Sequence, residues 1–179
     1  VQASAEAVSP KRFPLMPHPL RAKILVLSDA TVRGQREDRS GPALRELLEK
    51  RGWTVAALEV LPDDAEQIGR RLEAWTEGED CDAIFTTGGT GLGPRDVTPE
   101  ATRAVIEREV PGLAELMRAK GVKRTRLAAL SRGLVGVRKG KLIVNLPGSV
   151  RGAGESLKAI IEVLRHAVDL VQGRTAHSE

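Results

Sequence analysis

The chain has 179 residues, with 28 Lys and Arg against 24 Asp and Glu, a formal net charge of +4, and enough length for one domain with a substantial core. Aromatic residues make up only 2% and Tyr is absent, so the core must be built from Leu, Val, Ile and Ala, and the sequence offers no aromatic platform for stacked bases. The basic residues are interspersed with acids, which suits a small polyanionic ligand better than a nucleic acid.

Residues 1–22 carry Pro10, Pro14, Pro17 and Pro19 with neither helical nor strand period. They read as an extended arm or linker. The stretch lacks the apolar core of a signal peptide and does not begin with Met, so a piece of a longer fusion is one expectation. The folded domain is expected over residues 23–173, and residues 174–179 as a flexible polar tail.

Residues 23–27 (KILVL) read as a buried strand of a parallel sheet. Ser28 and Asp29 would lie at its carboxyl end, where open α/β sheets place ligands. A loop with Gly34 and Asp38 follows, and Ser40-Gly41-Pro42 opens a helix with Leu44, Leu47 and Leu48 on one face. Turn and cap chemistry alone would also account for Ser28, Asp29 and Ser40. Residues 54–61 are expected as the second strand. Asp63 and Asp64 then begin a helix with Ile68, Leu72 and Trp75 on its apolar face, and Asp63-x-x-Glu66 has the form of a capping arrangement. Cys81 is the only cysteine, which leaves no internal disulfide and fits a reducing cytoplasm; it reads as a small buried filler.

Residues 83–85 end as a buried strand would, and the next stretch, residues 86–102 (TTGGTGLGPRDVTPEAT), is the most informative in the chain. Gly88, Gly89, Gly91 and Gly93 exceed what a turn requires. They admit positive φ and let backbone N–H groups close on an anion. Arg95 and Asp96 supply a cation for phosphate and a carboxylate for Mg²⁺. Thr98-Pro99-Glu100 has the order of a capped helix start. Neither the dinucleotide fingerprint nor a Walker A loop is present. His18, His166 and His177 make no ligand pair at zinc spacing, and no apolar run approaches membrane-spanning length.

A helix carrying Ala101, Val105 and Ile106 is expected to end at Pro111-Gly112, followed by a short one marked by Leu113, Leu116 and Met117. Lys120, Lys123, Arg124 and Arg126 form a basic run whose default reading is a solvated surface. Residues 134–138 and 141–145 flank Lys139-Gly140 as a hairpin. Asn145-Leu146-Pro147-Gly148-Ser149 turns into a last core helix with Leu157, Ile160, Ile161, Leu164, Val168 and Val171 at helical spacing, ending near Gly173. The alternation predicts a three-layer α/β/α sandwich with a mainly parallel sheet, and its ligand-type turns along one edge.

TTGGTG followed by PRDVTPEAT closely resembles the hallmark of the molybdenum cofactor biosynthesis MogA/MoaB family, the molybdopterin adenylyltransferases, which include the G domains of gephyrin-type proteins. LSDATVRGQREDRSG from Leu27, VLPDDAEQI from Val60 and NLPGS from Asn145 agree in the family's order. The resemblance covers residues 23–173. It implies transfer of AMP from Mg-ATP to molybdopterin with release of pyrophosphate, in a homotrimer or hexamer. Asp63 and Asp96 would be catalytic and position Mg²⁺. Gly88, Gly89, Thr90 and Gly91 would cradle phosphate together with Arg95. Ser28, Asp29 and Ser131 would hold nucleotide or pterin, as would the turn of Asn145, Pro147, Gly148 and Ser149. A non-catalytic molybdopterin-binding carrier or assembly module on the same fold is the alternative. Association or fusion with other molybdenum cofactor biosynthesis proteins is implied as well; nucleic acid and membrane are not.

Overall fold

The computed structural model describes residues 19–174. The arm expected before Pro19 and the tail expected after Arg174 fall outside the described residues. The rest forms one six-stranded sheet in the order β2-β1-β3-β6-β5-β4. Strands β1 (Leu20–Leu27), β2 (Trp53–Leu61), β3 (Ala83–Thr87) and β6 (Lys141–Leu146) are parallel neighbours, while β5 (Val135–Arg138) and β4 (Arg108–Glu109) continue it antiparallel. The mainly parallel α/β reading holds. Strand β1 begins at Leu20, so Leu20, Arg21 and Ala22 belong to the sheet rather than to the arm.

Alternation along the central strands makes two cores. Ala22, Ile24, Val26, Phe85, Val144 and Leu146 face helices α2 (Ser40–Glu49), α5 (Pro111–Gly121) and α6 (Val150–Val171). Leu25, Leu27, Ile84 and Ile143 face α3 (Ala65–Glu77) and α4 (Thr98–Val105). With apolar side chains on both faces, these strands are continuous hydrophobic runs, which is why they stood out in the sequence. The cores are mostly aliphatic. Trp53 and Phe85 meet edge to face at 5.7 Å and 78° in the first core, a contact worth about 1 kcal/mol beyond burial.

Several boundaries differ from expectation. Asp64, not Asp63, caps α3: its carboxylate accepts the N–H of Gln67 at 2.9 Å. Thr98 is already helical and caps nothing; its hydroxyl donates to the carbonyl of Gly88 at 2.9 Å. Helix α4 stops at Val105, ahead of Pro111, because the chain turns into β4 to pair with β5. A four-residue helix α1 (Asp29–Val32) and a 3-10 helix (Arg126–Leu130) were not anticipated. The hairpin at Lys139-Gly140 is present, both residues having positive φ (47° and 72°), as a two-residue turn of this hand requires.

Candidate active site

The four parallel strands share a direction, so the segments leaving β1, β2, β3 and β6 reach the same edge of the sheet. Residues 28–29, 62–64, 88–96 and 147–149 therefore meet there. The glycine loop and the last turn pack backbone to backbone. Gly88 has φ +111°, and a Cβ there would stand 2.2 Å from the carbonyl oxygen of Leu27. Gly89 has φ +61°, and its Cβ would stand 2.3 Å from Oγ1 of Thr98. Only glycine fits either position. The N–H of Gly88 donates to the carbonyl of Leu146 (3.2 Å), and Oγ1 of Thr87 donates to that of Pro147 (2.7 Å).

Three aspartates gather at this edge. The N–H of Asp29 donates to Oδ2 of Asp63 and the N–H of Asp63 donates to Oδ1 of Asp29, both at 3.1 Å. Arg95 places Nε and Nη2 on the two carboxylate oxygens of Asp29, each at 3.0 Å. Burial alone would raise the Asp29 carboxyl, but the Asp63 N–H and Arg95 together hold it below its ordinary value. Asp63 goes the other way. Burial raises it first, the nearby charges of Asp29 and Asp96 add to that, and the Asp29 N–H and, less, Arg95 offset only part. The Oδ2 atom of Asp96 accepts the N–H of Gly93 at 2.7 Å.

Two cavities share this floor. The larger, about 500 Å³, has apolar walls at Ala114, Met117, Leu127 and Leu130. Thr90, Gly91, Ser131, Asn145 and Pro147 also line it. The smaller, about 290 Å³, is more polar than the larger and is lined by Ser28, Arg36, Arg39, Asp63 and Gly88. Gly89, Asp96, Gly148 and Ser149 belong to both walls. Ser149 caps α6, its Oγ accepting the N–H of Gly152 at 3.1 Å, so a 22-residue helix directs its positive end to the junction.

Not every expected residue is free for a ligand. Asp29 and Arg95 line neither cavity; they clasp each other beside it. The hydroxyl of Ser28 caps α1 by accepting the N–H of Thr31 at 3.2 Å. Ser40 is buried on the wall of the small cavity. The Asn145 amide is committed inward, donating to Thr86 and Thr102 at 3.0 and 2.9 Å while accepting the N–H of Leu134 at 3.4 Å. The basic run at Lys120, Lys123, Arg124 and Arg126 is exposed and lines neither cavity. Cys81 is remote and buried, its thiol pushed up to about 11 by that burial, which suits a filler rather than a nucleophile.

Sequence reasoning passed over Arg118 and Arg132. Arg118 donates to the carbonyl of Gly133 at 2.9 Å on the wall of the large cavity. Arg132 binds the glycine loop through carbonyls 36 and 41 residues away. No sequence spacing marks such partners, because they are backbone atoms.

The fold and site define an α/β protein with a glycine loop between two cavities. The family model described as a probable molybdopterin binding domain matches residues 23–166. The chain is 43% identical over 152 residues to the molybdenum cofactor synthesis protein cinnamon of Drosophila melanogaster, covering 83% of this chain but 25% of the fly protein. It is 38% identical over 154 residues to a molybdopterin adenylyltransferase of Helicobacter pylori, covering 84% and 86% of the two chains. Its structure is similar to that of a molybdopterin biosynthesis enzyme, MoaB, from Thermus thermophilus, with a TM-score of 0.82 and 53% identity over 86% of this chain and 97% of the other. The chain belongs to the molybdopterin-binding MogA/MoaB family of molybdenum cofactor biosynthesis.

Proposed function

We propose that this chain is a molybdopterin adenylyltransferase, joining molybdopterin to the AMP part of ATP and releasing pyrophosphate. The observation that carries this reading is the pair of cavities meeting at Gly89, Asp96, Gly148 and Ser149, the layout a reaction between two bound ligands needs. The similarity to a molybdopterin adenylyltransferase over most of both chains supports it. The larger, partly apolar cavity would take the pterin and the smaller, more polar one the nucleotide.

An oxygen of the molybdopterin phosphate attacks the α-phosphorus of ATP. The new P–O bond forms as the bond to the β-phosphate oxygen breaks, and the electron pair leaves with pyrophosphate. The nucleophile is already anionic, so no strong base is needed, and among the described residues no histidine lies on either cavity wall. The cost is repulsion between anions. Backbone N–H groups of Gly89, Thr90 and Gly91 and the N-terminus of α6 are the chain's means of reducing it, while the Gly88 N–H, expected in the cradle, is engaged by the carbonyl of Leu146.

A resident Mg²⁺ fits the donors present. Asp63 is raised first by burial and then by facing Asp29 and Asp96, and Asp63 and Asp96 both lie on the wall of the small cavity. Magnesium is commonly held by one or two carboxylates with substrate phosphates, and Asp63 and Asp96 would be that pair. When bound it would neutralise charge on the phosphates. Asp29, already paired with Arg95, would hold Asp63 in place.

The alternative is a molybdopterin-binding module without turnover, favoured by the engagement of Arg95 with Asp29 instead of an open cavity. A turnover assay with molybdopterin and Mg-ATP separates the two, since a carrier would bind pterin and release no pyrophosphate. A homotrimer or hexamer and a cytoplasmic setting belong to the same reading. The chain spans only 25% of the fly relative, and fusion to other cofactor-biosynthesis domains is part of the proposal. Sedimentation velocity tests the assembly: a trimer or hexamer is expected, and a monomer at micromolar concentration would contradict it.

A further inference from the structure

Arg132 is absent from the chemistry above, yet its hydrogen bonds converge on one loop. Its N–H donates to the carbonyl of Thr90 at 2.8 Å. Its Nε donates to the carbonyl of Gly91 at 2.7 Å, and its Nη2 to that of Asp96 at 2.5 Å. Nη1 pairs with Glu100. The loop has little else to hold its tip. Gly91 and Gly93 have no side chains, and Leu92 is 68% exposed. The bonds between Gly93 and Asp96 are internal to the loop, and the Arg95–Asp29 pair is exposed on its arginine side, where such pairs are worth little. The flanking residues Ser131 and Gly133 line the large cavity. One residue thus ties the wall of the large cavity to the loop that carries Asp96.

We propose that Arg132 is a positioning residue for the transfer: it holds loop 90–96 so that Asp96, on the wall of both cavities, keeps its place relative to a ligand in the larger one. This rests on the adenylyltransferase reading. Misplacing a reacting group by about 1 Å can cost about a hundredfold in rate. Lysine cannot replace the fork, because one ammonium does not reproduce three N–H donors in a fixed plane.

The test compares wild type, Arg132→Ala and Arg132→Lys with molybdopterin and Mg-ATP, below the melting midpoint of each, with and without millimolar guanidinium ion. For Arg132→Ala, kcat should fall about a hundredfold while KM for molybdopterin moves less than about threefold. Guanidinium should restore part of that loss, and Arg132→Lys should stay well below wild type. A kcat within about threefold of wild type, a loss confined to KM, or no recovery with guanidinium would overturn the assignment. If the wild type itself makes no product, the adenylyltransferase reading fails separately. Hydrogen exchange at Gly93 and Asp96 then decides: faster exchange in Arg132→Ala at an unchanged melting midpoint retains the positioning role, and unchanged exchange removes it.

Discussion

Asp29 and Asp63, 34 residues apart, exchange hydrogen bonds: each backbone N–H donates to the other's carboxylate at 3.1 Å. The exchange locks the carboxyl ends of β1 and β2 together. It also divides the labour, since Asp29 is neutralised by Arg95 whereas Asp63 stays short of a cation.

Asp63→Asn should therefore slow turnover by at least about a hundredfold without destabilising the fold. Its folded pKa lies above the unfolded one, so its favourable contribution is present below the unfolded value and lost as pH rises through the folded value. At neutral pH the wild type carries a penalty that Asn lacks, and Asn still accepts the N–H of Asp29. The melting midpoint of the variant, measured without ligand, should equal or exceed wild type at pH 7, and its advantage should shrink toward pH 4.

Glycine substitutions should divide by backbone geometry. Gly88→Ala places a Cβ 2.2 Å from the carbonyl of Leu27 at φ +111°, and should cost about 2 kcal/mol or more. Gly154→Ala meets nothing within 4 Å in the interior of α6, and should gain up to about 1 kcal/mol from helix propensity. Urea unfolding of both variants measures the contrast.

The sheet and the edge where its loops gather were legible because buried parallel strands are unbroken apolar runs, each followed by turn residues. KILVL, the strand before TTGGTG, and the Lys139-Gly140 turn all carried that signal. Strand β4 did not, since Arg108 and Glu109 are exposed and polar and become a strand only by pairing with β5. The cap of α3 was ambiguous between adjacent aspartates, and the tertiary bond to Asp29 settled it by engaging Asp63. Arg95 was expected to face phosphate on its charge alone; its carboxylate partner lies 66 residues away. Asn145 was read as a ligand residue from its turn, but its amide faces inward.

That inward network makes Asn145→Ala a stability variant. It would leave the Thr86 and Thr102 hydroxyls and the Leu134 N–H without their buried partner, at a cost of about 2 kcal/mol. The loss should appear in the melting midpoint of the protein without ligand.

At the opposite edge, Asp82 should support stability against acid. Burial opposes its ionisation, but the Arg21 N–H and guanidinium and the Gln172 amide hold its pKa below the unfolded value. Its stabilisation is present above the unfolded value and lost as pH falls through the folded one. Asp82→Asn should melt lower than wild type at pH 7, and the gap should narrow toward pH 3.

The most direct measurement is single-turnover formation of adenylylated molybdopterin from molybdopterin and Mg-ATP by wild type, Asp63→Asn and Asp96→Asn. Product and pyrophosphate from the wild type, with either variant slower by at least about a hundredfold while still binding pterin, is the predicted result. Pterin bound by the wild type without product would contradict the adenylyltransferase account and leave a molybdopterin-binding module.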